Sequence, residues 1–135
     1  MTDFKFICFG SSVENLRTAI EFNIIGVTKR HPFIKGESLY FAIKAGNEWK
    51  VCGRAKAGEE TDLNPFNNPG RYYTYTITEF EACKPFTIKA KSQEVLGPYW
   101  ALNFQTPRKI NNPIYIEFIE GNFDITNSDD MLADL

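Results

Sequence analysis

The stretch "FICFGSSVENLRTAIEFNIIGV", Phe6 to Val27, changes its hydrophobic period as it runs. Phe and Ile crowd its start, and Asp3 to Phe9, alternating only weakly, read as a mostly buried first strand. "GSSVE" then breaks the run. Ser11 is the predicted cap, and Glu14, three positions on, completes a capping box. Val13, Leu16 and Ile20, with Ala19 beside them, recur at helical spacing to about Phe22, so one amphipathic helix follows the strand. A helix directly after the first strand, joined to the five or so hairpin-connected strands of the whole chain, is the pattern on which an α+β reading rests.

The segments downstream fill in that class. "NIIGVTKRHPFIKGE" contains Gly26, Pro32 and Gly36 and is expected to be a loop that delivers Lys29, Arg30 and His31 to the surface. "SLYFAIK" and "WKVCGRAKA" are strand-like runs joined by "AGNE", a good hairpin connection. "GEETDLNPFNNPG" is a long polar loop of the kind that is more often functional or mobile than idle. In "RYYTYTITEFEA", Tyr73, Tyr75 and Ile77 fall on one face and Tyr72, Thr74, Thr76 and Thr78 on the other, which predicts a long central strand. "PFTIKAKSQEVLG" adds a short strand and a turn of helix. In "NNPIYIEFIEGNF", Asn112 before Pro113 signals a helix start, whereas Ile114, Tyr115, Ile116, Phe118 and Ile119 favour strand. The balance leans to helix. Residues 1–123 then form one domain, and 124–135 an acidic tail expected to fray. The predicted architecture is α+β: a mixed or antiparallel sheet curled into a small barrel, with a helix after the first strand and short peripheral helices.

Composition narrows the function classes. The 135 residues suit one domain with a real core. The 43% hydrophobic and 24% charged content is ordinary, but 15% aromatic is high enough to supply both a core and a site. No apolar run approaches the ~20 residues of a membrane span, and "MTDFKFICFG" lacks a signal peptide's long apolar region, so a soluble, cytoplasmic protein with no membrane partner is expected. Cys8, Cys52 and Cys83 are far apart, with no C-x-x-C pair, which argues against disulfides or a zinc site. Seven bases between Lys29 and Lys56 face only Glu37 and Glu48, a bias that can attract polyanions. Solvated strand faces explain that bias equally well.

Catalytic chemistry is poorly provided for. His31 is the single histidine, so two-histidine metal sites are excluded and any Ser–His or Cys–His dyad depends on it. Placed before Pro32 in a basic loop, it reads as a surface residue. Glu59, Glu60 and Asp62 form an acidic cluster, better read as a solvated loop than as a carboxylate pair or a cation site. No phosphate-binding glycine loop or dinucleotide fingerprint is present. No catalytic residues, metal or cofactor are expected. Binding is better served: in "GPYWALNF" (Gly97–Phe104), Tyr99 and Trp100 offer flat faces and Asn103 an amide that donates and accepts, the groups that stack and read a nucleobase. Composition leaves core filling open for the same pair.

The order of these segments resembles the YTH and EVE domains of the PUA-like superfamily over roughly Phe4 to Ile119. "FICFGSSVENLRTAIEFNIIGV" is similar to their opening strand, polar turn, helix and Asn-apolar-Gly-Val turn. "FIKGESLYFAI" and "WKVCGRAKA" look like their next strands. "NPFNNPGRYYTYTITEFEACKPFTI" and "YWALNFQTPRKINNPIYIEFI" are similar to the closing half of EVE domains. The resemblance implies a small barrel with a pocket for one flipped-out, often methylated base, and a basic rim for the backbone. Carried over by position, it places Phe9, Ser11, Ser12, Ile24, Ile25, Gly26, Tyr99, Trp100 and Asn103 around the base. Lys29, Arg30 and Arg71 would hold phosphates. Methyladenine-reading YTH domains place a cage tryptophan in the turn after the helix, where this chain has Ile25. An isoleucine packs on a base but offers no π face, so the EVE branch, or DNA-reading relatives attached to restriction systems, fits better.

The expectation is a non-catalytic module binding DNA or RNA that carries a modified base, with a possible partner protein in a restriction or RNA-processing system. The alternatives are an ASCH-type nuclease built around Arg71, Tyr73 and Glu79, and an interaction subunit with a vestigial pocket whose acidic tail docks on a basic partner.

Overall fold

A computed structural model describes residues 2–67, 70 and 72–135. The predicted first strand is β1 (Phe4–Cys8). Gly10 follows with φ +57°, a left-handed conformation that favours glycine. The helix α1 (Val13–Phe22) therefore starts one residue later than predicted: Ser12, not Ser11, is the cap, its Oγ accepting from the Asn15 N–H at 3.1 Å. Glu14 does not close a capping box; its carboxylate accepts from the Asn67 amide at 2.7 Å. Asn23 ends the helix in the left-handed region, φ 54°, with its N–H on the Ala19 carbonyl.

The expected loop after α1 instead begins with a strand, β2 (Ile24–Val27). β3 (Ser38–Ala45) and β4 (Glu48–Thr61) form the predicted hairpin, and β4 runs on through Gly58–Thr61, where the sequence reads as loop. β5 (Tyr73–Thr87) is the long strand, continuous through Pro85. Then come α2 (Lys89–Leu96), a single 3-10 turn (Trp100–Phe104) and α3 (Pro113–Asn122). In α3 the helix signal prevails: the Asn112 Oδ1 accepts from the N–H groups of Ile114 and Tyr115, at 3.0 and 3.1 Å.

Residues 124–135, expected as a tail, carry two further elements. β6 (Ile125–Thr126) pairs with β5, and α4 (Ser128–Ala133), capped by Asn127, buries Met131 completely in the core. Leu132 and Leu135 pack against the same core, and the surrounding acids remain in water, so burial outweighs their charge.

The strand order is β1-β3-β4-β5-β2, with β6 on β5. β1 runs parallel to β3 and the other pairings are antiparallel, so the sheet is mixed, as expected. Among the described residues β1 and β2 do not pair, and the sheet is not closed into a barrel. Both faces carry cores, which is why β1 and β3 read as nearly continuous apolar runs. On one face Ile7, Phe9, Leu39, Phe41 and Ile43 pack with Leu16 and Ala19 of α1 and Met131 of α4. On the other, Phe4, Phe6 and Tyr40 pack with Tyr115, Ile116 and Ile119 of α3. The two end strands are left with a seam between them.

Candidate nucleic-acid interface

That seam is a hollow of about 390 Å³. β1 and its turn contribute Phe6 to Gly10, α1 contributes Asn15, and β2 with the segment after it contributes Gly26 to His31. Phe66, Tyr72 and the segment Phe104–Pro107 complete the wall. The volume lies toward the lower end of the ~300–1,000 Å³ common to small-ligand sites, a scale that suits a nucleoside.

Aromatic rings supply its faces. Phe66 and Tyr72 meet edge to face at 5.4 Å, and Phe6 and Phe104 lie 5.1 Å apart. Phe104 is held from behind, stacked on Trp49 at 4.5 Å and met edge-on by Trp100 at 5.6 Å. A Cβ on Gly26 would stand 3.1 Å from Tyr72 and 3.2 Å from Phe66, so glycine lets both rings close on β2.

Polar groups reach the hollow from two sources. The first is Asn15, whose side-chain amide makes no hydrogen bond among the described residues although its backbone N–H is used by the cap. The second is the main chain. Phe4 exchanges both backbone bonds with Ile110 on the side of β1 away from β3, so the peptide groups of Phe6 and Cys8 point the same way, into the seam. On β2 the Asn23 carbonyl accepts from the Ile77 N–H, which makes Ile25 and Val27 the bonded positions against β5 and turns the peptide groups of Gly26 outward.

At the wall, burial is the leading influence on both the Cys8 thiol and the His31 imidazole. Burial pushes the Cys8 thiol up, partly offset by the Gly10 N–H that its sulfur accepts at 3.3 Å, so it stays protonated and a poor nucleophile. Burial, and then the Lys5 ammonium, hold His31 below its usual range against the opposing pull of Glu37. Its Nε2 is enclosed without a hydrogen-bond partner among the described residues, its ring packs on Phe33 at 4.5 Å, and its backbone N–H donates to the Tyr75 hydroxyl at 2.9 Å. Lys5 and Glu37 form a nearly buried ion pair at 2.9 Å that ties this loop to β1. Among the described residues no group of three His, Cys, Asp or Glu could hold a metal ion. Tyr73 and Glu79 lie six residues apart on β5, about 20 Å at strand rise, and do not converge. Arg71 lies outside the described residues.

Of the residues expected around a base, Phe9 and Gly26 line the hollow, as do the expected phosphate ligands Lys29 and Arg30. The others lie elsewhere. Ile24 and Ile25 sit in a strand rather than an open turn and are buried in the core, at 2% and 0% exposure. Ser12 is occupied as the helix cap, and Ser11 lies on the exposed turn before it. Trp100 is 8% exposed and backs Phe104 rather than forming a wall, while Tyr99 is 76% exposed beside it. Asn103 donates its amide to the Trp100 carbonyl at 2.9 Å. Phe66, Tyr72, Phe104 and Asn15 are the residues that sequence reasoning missed. Phe104 closes the very stretch that draws attention to its neighbours, and Phe66 sits in the long polar loop of the sequence. Asn15 carries no signal beyond its place in a first helical turn.

No protein-family profile matches the chain, and no curated protein matches it. Among solved structures, the Pho92 YTH domain in complex with m6A superposes with a TM-score of 0.59 at 16% identity, over 88% of this chain and 84% of that one. The chain has a YTH-like fold. At this identity the likeness establishes the fold alone. No helix among the described residues of this YTH-like chain is long and apolar enough to cross a membrane.

Proposed function

We propose that the chain is a non-catalytic reader that takes one extruded, methylated base of a nucleic acid into the hollow between β1 and β2. The observation that carries this reading is an aromatic-walled hollow of nucleoside scale set on the open seam of a YTH-like sheet. The Pho92 YTH domain, a protein of like fold solved in complex with m6A, supports it. An extruded base needs a face to stack on and partners for its edge. Phe66, Tyr72 and Phe104 offer the faces; the Asn15 amide and the peptide groups of Phe6, Cys8 and Gly26 offer the edge contacts. A methyl group on the base gains by leaving water for such a wall.

The backbone would run over Lys29, Lys44, Arg108 and Lys109. Lys44 sits beside the mouth, its N–H on the Gly10 carbonyl at 2.7 Å, and Arg108 and Lys109 directly follow the Pro107 wall. Among the described residues no tryptophan lines the hollow, so the base would rest on phenyl and phenol rings. That favours the EVE-like branch of the PUA-like superfamily over a methyladenine-caging YTH domain.

Titration of matched RNA and DNA oligonucleotides, unmodified and carrying one N6-methyladenine or one 5-methylcytosine, at two salt concentrations, tests the reading. Salt-sensitive affinity that is tighter for one modified strand is expected. Equal affinity for all strands, or cleavage of any of them, would overturn it.

A further inference from the structure

The resemblance assigns Arg30 to a phosphate, yet its guanidinium is already engaged. Its Nη2 lies 2.8 and 2.9 Å from the two carboxylate oxygens of Glu60, and its Nε 3.1 Å from one of them. This is the fork by which arginine grips a carboxylate or a phosphate. The fork spans three strands. Arg30 follows β2, Glu60 lies near the end of β4, and the Tyr73 ring on β5 between them is 6.0 Å from the guanidinium carbon. Arg30 also lines the hollow, and both partners are largely in solvent, with side-chain exposures of 69% and 41%. A clip so exposed adds little to stability, and an incoming phosphate can exchange with it.

Resting on the reader function above, we propose that Glu60 is a specificity-determining residue: an internal competitor that occupies the phosphate fork of Arg30. While the fork is closed, a strand that brings only its backbone meets a site lacking one cation. A strand seated by its base runs its backbone over Lys44, Arg108 and Lys109, gains little from an open fork and leaves the carboxylate in place. Glu60 thereby weakens binding to unmodified strands more than to the cognate one. The neighbouring Glu59 serves as an internal comparison, since it pairs instead with Lys35 at 3.4 Å, and neither residue lines the hollow.

The test compares wild type, Glu60→Gln, Glu59→Gln and the double variant Arg30→Ala/Glu60→Gln on one short single-stranded RNA, unmodified and singly methylated, over a salt series. Glu60→Gln is expected to bind the unmodified strand about three- to tenfold tighter, with a log–log salt slope steeper by about 0.7, one more phosphate contact on a single strand. The ratio of methylated to unmodified affinity should fall, Glu59→Gln should change little, and the double variant should lose both gains. A lowered melting temperature with an unchanged slope would mark the fork as a structural clip and overturn the proposal. Equal gains in Glu59→Gln and Glu60→Gln would reduce it to bulk charge and overturn it too. Selective wild-type binding with no change in Glu60→Gln overturns this proposal alone, whereas no binding by any variant overturns it together with the reader function.

Discussion

Replacing Asn15 by alanine should move stability and binding in opposite directions. The residue is the third of α1, half-buried at the wall, and its side-chain amide makes no hydrogen bond among the described residues. Folding therefore loses no side-chain hydrogen bond. The backbone N–H keeps its bond to the Ser12 Oγ, and alanine's better helix propensity should add up to roughly 0.5 kcal/mol. Binding loses an acceptor and two donors at the base edge. A base polar group left unpaired in the hollow costs about 1–3 kcal/mol, a weakening of roughly 5- to 150-fold. Denaturant unfolding measures the first quantity, and fluorescence anisotropy with the preferred modified strand the second. The salt slope should not move, because no phosphate contact is lost. Unchanged affinity, or a loss of affinity matched by a loss of stability, would refute the reasoning.

Three further outcomes follow from the geometry. Gly26→Ala places a Cβ 3.1 Å from Tyr72 and 3.2 Å from Phe66, so overpacking should cost about 1–3 kcal/mol and weaken binding as the rings retreat; an unaltered unfolding midpoint and affinity would show that the rings yield freely. His31 titrates below its unfolded value of about 6.5. As pH falls through 6.5 the unfolded chain takes up a proton that the folded chain resists, so this contribution to stability is complete above that value and shrinks below it. The fall in urea midpoint from about pH 7.5 to 5.5 should thus be smaller in His31→Gln than in wild type. Met131→Ala should lower unfolding free energy by about 2–5 kcal/mol, because the residue is fully buried; a negligible change would mean that the acidic end is not docked.

Much of this fold is legible because its signals are local. The Gly10–Ser12 turn, the α1 stripe and the Asn112–Pro113 start each depend on residues within a few positions of one another. β2 is hidden because Gly26 reads as a breaker, whereas its role is to let Phe66 and Tyr72 approach. That requirement comes from residues some forty positions away and leaves no trace in the neighbouring sequence. The acidic end misleads for a related reason, since Met131, with Leu132 and Leu135 beside it, packs α4 onto the core. At the site, the basic and glycine positions are recognisable as Lys29, Arg30 and Gly26, but sequence reasoning gives the aromatic walls to the largest rings. Trp100 is drawn into the interior by its size, where it supports the smaller Phe104 that faces the hollow. Asn15 and the seam-facing peptide groups are invisible in principle, because they depend on which strands pair and which do not.

The most direct test of the central claim is a ¹H–¹⁵N NMR titration of the full chain with free N6-methyladenosine and 5-methylcytidine. If the seam is a base pocket, one nucleoside should shift the amides of Phe6 to Gly10, Asn15, Gly26 to His31 and Phe104 to Thr106, together with the Asn15 side chain. Shifts absent from that set, or gathered instead around Arg54, Glu81 and Glu120 in the second hollow of about 240 Å³, would contradict it.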